Sequence, residues 1–196
     1  MKKIFLTLTI LILTFSTQIV ADTSNSIQRI YEGNKNAKVT IITYESLTCG
    51  HCADFHKNVY PQLKKEFIDA GLVKIEFRHF PLDMAALNAS KIAQCNNDGK
   101  SDILHFLFSN QKKWAIGETV ETANENLKKL LKDENIIIDF EKCINNQKIE
   151  DYVLNDRIEG VKKFKVNATP TIIINNKKFD KSLNYKNLKK SIEKLI

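Results

Sequence analysis

Thr40-Ile-Ile-Thr-Tyr-Glu-Ser-Leu-Thr-Cys-Gly-His-Cys-Ala-Asp-Phe55 is the stretch on which the reading of this chain turns. Val39, Ile41, Ile42 and Tyr44 suit a buried strand, because β-branched and aromatic side chains pack well on a pleated surface. Beyond Cys52, the residues Phe55, Val59, Leu63 and Phe67 recur every four positions, the apolar stripe of a helix. The two cysteines therefore sit where a strand passes into a helix N-terminus. Unpaired backbone N–H groups and the positive end of the helix dipole favour a thiolate there. Two cysteines separated by two residues in a first turn can also close a small disulfide ring, which makes this a redox arrangement. The residues leave two other readings open. Half of a zinc site normally needs a second pair at similar spacing, and a purely structural disulfide over so short a loop stabilises little.

Outward from that stretch, Glu32-Gly-Asn-Lys-Asn36 is a turn, and a short edge strand is expected around Gln28–Tyr31. The helix after the motif contains Pro61, which should kink it without interrupting the stripe, and Gly71 is its C-cap. Val73, Ile75 and Phe77 alternate with Lys74, Glu76 and Arg78, so residues 72–80 form a second strand, and the pair makes a right-handed βαβ unit. From Pro81 onward the pattern is helical: 83–96, 102–115, 118–132, 140–145 behind an Asp139 N-cap, and 149–164. Thr169–Ile174 is again a strand, Asn175-Asn176 turns it into 177–179, and 183–196 closes the chain as a helix.

Residues 1–21 read differently. Lys2 and Lys3 precede an uncharged apolar run from Ile4 to Phe15, followed by Ser-Thr-Gln-Ile-Val-Ala, the three parts of a secretory signal with cleavage expected after Ala21. The apolar run is short for a membrane span of roughly 20 residues, so export and cleavage are favoured over an anchor. The formal charge of +7 falls to +5 without that segment. Lysines are scattered among acids, as in Lys128, Lys129 and Lys132 beside Asp133 and Glu134, without the clustered basic and aromatic residues of a nucleic-acid surface.

A βαβ unit bearing Cys-x-x-Cys, a helical insertion, and a Thr-Pro strand before a hairpin and final helix resembles the DsbA-type thioredoxin fold over roughly residues 30–196. The resemblance is carried by Cys49-Gly50-His51-Cys52, by Arg78-His79-Phe80-Pro81-Leu82 and by Ala168-Thr169-Pro170-Thr171. It implies an α/β, thioredoxin-like fold over residues 22–196 with an inserted all-helical subdomain at about 82–164. It further implies a periplasmic thiol:disulfide oxidoreductase that acts on unfolded or reduced exported proteins as a monomer and is recycled by a membrane redox partner. No cofactor, metal or nucleic acid is expected. By the same resemblance Cys49 is the nucleophile and Cys52 its buried partner. Pro170 is the cis-proline facing the disulfide, and Thr169 offers backbone to an extended substrate.

His51, between the cysteines, is expected to stabilise the Cys49 thiolate as a cation or donor. A fall in thiol pKa from about 8.5 to about 5.5 favours the reduced form by roughly 2 kcal/mol at pH 7 and raises the potential by roughly 45 mV. Glu45, four residues before Cys49, is either a proton shuttle for Cys52 or a solvated loop carboxylate. His79 is a weaker candidate, and His56 and His105 read as surface or satisfied helix residues. Cys95 and Cys143 both fall on predicted helices of the insertion, and in an oxidising compartment a structural disulfide between them is expected; two buried free thiols are the alternative.

The chain departs from the family pattern at Gly50-His51, a pair shared with eukaryotic disulfide isomerases, and at Thr169, which isomerase-type relatives also use. Both bear on the direction of electron flow. Residues 22–38 are too short for the dimerisation domain of such relatives, so net oxidation is expected. A reductase or isomerase of the same fold is one alternative, and a non-catalytic periplasmic metal- or peptide-binding protein is the other.

Overall fold

A computed structural model describes residues 26–196, so the expected leader at residues 1–21 lies outside the described residues. Among the described residues five strands form one sheet in the order β1-β3-β2-β4-β5. They are β1 (Tyr31–Gly33), β2 (Val39–Glu45), β3 (Val73–His79), β4 (Thr171–Ile174) and β5 (Lys177–Lys178). β2 and β3 run parallel, and the other pairs are antiparallel. Parallel neighbours need a crossover, which the helix carrying the cysteines supplies.

β2 is buried along almost its whole length, since helices cover both faces of the sheet. Its side chains alternate between two cores. Val39 and Ile41 enter the larger one with Phe55, Leu63, Phe67, Ile75, Phe77, Leu107 and Trp114. Ile42 and Tyr44 enter the smaller one with Phe80, Phe164, Val166 and Ile173. Glu45, at the end of the strand, falls on the face of Val39 and Ile41 and is 4% exposed.

The crossover is α1 (Gly50–Asn58), then α2 (Tyr60–Leu63) with Pro61 in its first turn, then a π-helical turn at Lys64–Ile68. Val59, at φ −114°, is the break. The stripe survives it, because Phe55, Val59, Leu63 and Phe67 are all buried. The π turn, which has no counterpart in the sequence pattern, widens the helix so that Phe67 and Ile68 both face inward.

Between β3 and β4 lie α3 (Met84–Gln94), α4 (Asp102–Ser109), α5 (Gln111–Trp114), α6 (Val120–Asp133), α7 (Phe140–Ile144) and α8 (Gln147–Phe164), with no strand among the described residues of that segment. Side chains of Asp83, Thr119, Asp139 and Asn146 accept bonds from the first turns of α3, α6, α7 and α8. The expected single helix over 102–115 divides at Asn110, whose side chain returns to the Phe106 carbonyl. Cys95, at the end of α3, and Cys143, in α7, are joined by a disulfide. α8 crosses Tyr44 so closely that a Cβ on Gly160 would lie 2.8 Å from the ring, which explains a glycine mid-helix. α9 (Tyr185–Ile192) follows the β4–β5 hairpin and is shorter than the expected 183–196.

The edge strand is displaced from the expected 28–31 to Tyr31–Gly33. Gly33 is held at φ +89° against the Val73 carbonyl, a position that excludes a side chain. The strand expected at 169–174 spans Thr171–Ile174, and the Thr169–Pro170 peptide bond before it is cis.

Candidate active site

β2 ends at Glu45, and the chain needs only Ser46–Thr48 to reach the first turn of α1. That short loop is tied down from three sides. The Cys49 N–H donates to the Ser46 carbonyl (3.0 Å), the Thr48 hydroxyl to Asp83 at the start of α3 (2.7 Å), and Gln111 of α5 donates its amide to the carbonyls of Leu47 (2.7 Å) and Cys49 (3.0 Å). The helical insertion therefore holds the loop that presents Cys49. Gln111 is invisible to sequence reasoning: it lies 62 residues from Cys49 and belongs to no motif.

Cys49 is the N-cap residue of α1, in extended conformation, with its thiol half-buried; Cys52 is fully buried one turn on, and both are reduced. The Cys49 pKa is lowered from 9.0 to about 5, first by the Cys52 thiol donating to its sulfur, which outweighs the opposing effect of burial, and then by Thr169 and by the backbone N–H groups of Cys52 and His51. Cys52 moves the other way. Burial pushes its thiol far up, and the neighbouring Cys49 sulfur and the Glu45 charge add to the effect. His51 is exposed, and its backbone N–H is among the groups that lower the Cys49 pKa.

Across from the thiol stands the cis Thr169–Pro170 bond. The Thr169 carbonyl lies 3.4 Å from Cys49 Sγ and accepts from the thiol. The Thr169 hydroxyl is buried without a partner while Cys49 is protonated, so it is free to serve the thiolate. An open groove of about 890 Å³ leads away from this point between α1 and the start of α9, lined by His51, Phe55, Gln62, Pro170, Leu183 and Tyr185 among others.

The structure thus brings Cys49, Cys52, His51, Thr169 and Pro170 together and sets Cys95 and Cys143 in a separate bridge. Glu45 is buried and bonded to His56 (3.0 Å), so it is no loop carboxylate. His79 is buried against Gln94, and burial pushes its pKa down. Among the described residues no group of three or more His, Cys, Asp or Glu side chains is placed to hold a metal ion.

A thioredoxin family model matches residues 25–194. A putative protein-disulfide oxidoreductase of Rickettsia bellii is 28% identical over 147 residues, covering 73% of this chain and 55% of that protein. The chain therefore spans little more than half the length of that curated relative. Disulfide bond formation protein D of Bacillus subtilis is 28% identical over 179 residues, covering 83% of this chain and 74% of that protein. The crystal structure of α-DsbA1 from Wolbachia pipientis superposes with a TM-score of 0.74 at 31% identity, covering 85% of this chain and 90% of that one. Sheet, helical insertion and cysteine-bearing crossover agree with these matches, and the chain belongs to the thioredoxin family as a DsbA-type member.

Proposed function

We propose that the chain is a protein dithiol–disulfide oxidoreductase that introduces disulfides into exported proteins through Cys49-Gly50-His51-Cys52. The observation that carries this reading is the asymmetric placement of the two thiols. Cys49 is the half-buried N-cap of α1, its Sγ 3.4 Å from the Thr169 carbonyl beside the cis Pro170, and Cys52 is fully buried one turn on. Their acidities diverge accordingly, with Cys49 lowered to about 5 and Cys52 raised. A substrate thiolate attacks Cys49 of the oxidised site, and Cys52 leaves and is protonated. A second substrate thiolate then attacks the substrate sulfur of the mixed disulfide, and Cys49 leaves as a stable thiolate. The substrate loses two electrons and the active site gains them. Thr169, Pro170 and the adjoining groove receive the substrate segment in extended form. A membrane redox partner reoxidises the protein, which works as a monomer.

Direction follows from the same asymmetry. A thiol depressed from 9.0 to about 5 stabilises the reduced form fully above pH 9, partly between these values, and not at all below pH 5. At pH 7 this amounts to about 2 kcal/mol, allowing for solvent screening at a half-open thiol, which raises the potential by roughly 45 mV. Equilibration with glutathione buffers, with thiolate absorbance followed against pH, tests the reading. We expect an apparent pKa near 5 and a potential well above thioredoxin's value of about −270 mV. A thiol titrating near 8.5 together with a thioredoxin-like potential sinks the oxidase reading in favour of a reductase, and metal released by a chelator favours the binding-protein alternative.

We further propose that residues 1–21 are the export signal and that the mature protein, 22–196, is periplasmic. N-terminal sequencing of the protein from cells should begin near Asp22. Intact Met1 in a membrane fraction contradicts this.

A further inference from the structure

One side-chain nitrogen brackets the residue that carries the nucleophile. Nε2 of Gln111 donates to the Leu47 carbonyl (2.7 Å) and to the Cys49 carbonyl (3.0 Å), which uses both amide hydrogens. The backbone between those two oxygens, through Thr48 to Cys49, is thereby held in one conformation. The Cys49 carbonyl also closes the first turn of α1, accepting from the Cys52 N–H (3.1 Å) and the Ala53 N–H (3.2 Å). Gln111 is thus bonded to the oxygen on which the helix under the thiol begins.

The donor is itself anchored. α5 buries two side chains, Gln111 and Trp114, and leaves Lys112 and Lys113 exposed. Trp114 lies in the larger core, and its indole donates to the Leu107 carbonyl of α4 (2.9 Å). The Ala115 N–H returns to the Gln111 carbonyl (2.8 Å). A buried amide costs stability unless its polar atoms are bonded, and an apolar side chain of similar length would fill the space without that cost. The two loop oxygens are what the amide serves.

Cys49 is an N-cap in extended conformation, with φ −78° and ψ 118°. At that position a side chain lies against the N–H groups of the second and third helical residues. Here those are His51 and Cys52, and both lower the Cys49 pKa. A backbone rotated out of this conformation takes the sulfur off those N–H groups and away from the Thr169 carbonyl, 3.4 Å from it. We propose that Gln111 is a positioning residue of the redox site. By pinning the Leu47 and Cys49 carbonyls it keeps the Cys49 sulfur at the helix terminus, favours the thiolate and makes the disulfide more oxidising. The proposal rests on the dithiol–disulfide reading above. Gln111 exchanges no proton or electron and acts only through the backbone. The helical insertion thereby sets part of the potential of a motif that it does not contain.

Gln111→Met keeps the length of the side chain and loses both donors. Two readouts on the whole chain test it: thiolate absorbance against pH, and the dithiol–disulfide equilibrium in glutathione buffers, quenched in acid and weighed. We expect the thiolate midpoint to rise by about one pH unit, roughly the worth of one hydrogen bond. The glutathione equilibrium should move about tenfold toward the protein disulfide, which makes the site about 30 mV more reducing. Gln111→Asn, too short to reach both carbonyls, should move the equilibrium the same way by at least about threefold. Lys112→Ala, on the exposed side of the same helix, should change neither readout. Both readouts within about twofold of wild type in the two Gln111 variants overturn the proposal, even where the urea midpoint falls. That result, like failure of both variants to fold, makes Gln111 a packing residue alone. An equal shift in Lys112→Ala marks a charge effect of α5 and overturns it too. If the wild type itself forms no Cys49–Cys52 disulfide with oxidised glutathione, the dithiol reading fails before any variant is made.

Discussion

Cys52→Ala is expected to accumulate substrate proteins as mixed disulfides on Cys49, while Cys49→Ala abolishes exchange. The Cys49 sulfur is the accessible member of the pair and is largely thiolate at neutral pH, with its pKa at about 5. Cys52 alone is buried and protonated and offers substrates nothing. In the intact site Cys52 should resolve the mixed disulfide from within the same helical turn. Well-placed intramolecular groups reach effective concentrations on the order of 10⁵ M, and external thiol at millimolar levels cannot replace that. The adducts of Cys52→Ala should therefore persist through acid quench and alkylation and appear as reductant-sensitive high-mass bands. Equal adduct formation in Cys49→Ala would reverse the two roles and undo the assignment.

Breaking the second cysteine pair should act on stability instead. The bridge between Cys95 and Cys143 spans 48 residues and ties the end of α3 to α7. On the chain-entropy model a loop of that length contributes about 4 kcal/mol, a large share of the roughly 5–15 kcal/mol that holds typical domains folded. The double variant Cys95→Ala, Cys143→Ala should lower the urea midpoint accordingly with little change in slope. A loss under about 1 kcal/mol would mean that the unfolded chain is already restrained in this region.

The parts of the molecule legible in the sequence are those encoded by local pattern. The alternation of Val73, Ile75 and Phe77 gives β3, the four-residue stripe through Phe67 gives the crossover, and Asp139 marks the start of α7. The cysteine motif announces its own chemistry because its spacing and its place before a helix are both visible. What stays hidden depends on residues that meet only after folding. Gln111 holds the Cys49 loop from a four-residue helix that periodicity merges with its neighbour. His56 and His105, 49 residues apart, look like surface positions until the sheet and α4 close over them. Glu45 looks like a loop carboxylate because a strand end and a loop start differ by one residue in sequence but by complete burial in space. The backbone N–H groups of His51 and Cys52 also act on the Cys49 sulfur, a contribution that residue identity does not reveal.

One turn has a bearing on how long such a molecule lasts. The β4–β5 hairpin reverses through Asn175 and Asn176, both at positive φ, a geometry for which Asn-Gly is the commonest choice. Asn-Gly is also the pair that cyclises most readily to a succinimide, since glycine leaves the attacking amide nitrogen unhindered. Here a second asparagine stands in the glycine's place and accepts the left-handed conformation. Asn175 is also held at both ends, its Oδ1 accepting from the Thr40 N–H (2.8 Å) and its Nδ2 donating to the Lys38 carbonyl. The strand that follows Thr169 and Pro170 is thereby closed by a turn whose asparagine is less open to cyclisation than one followed by glycine.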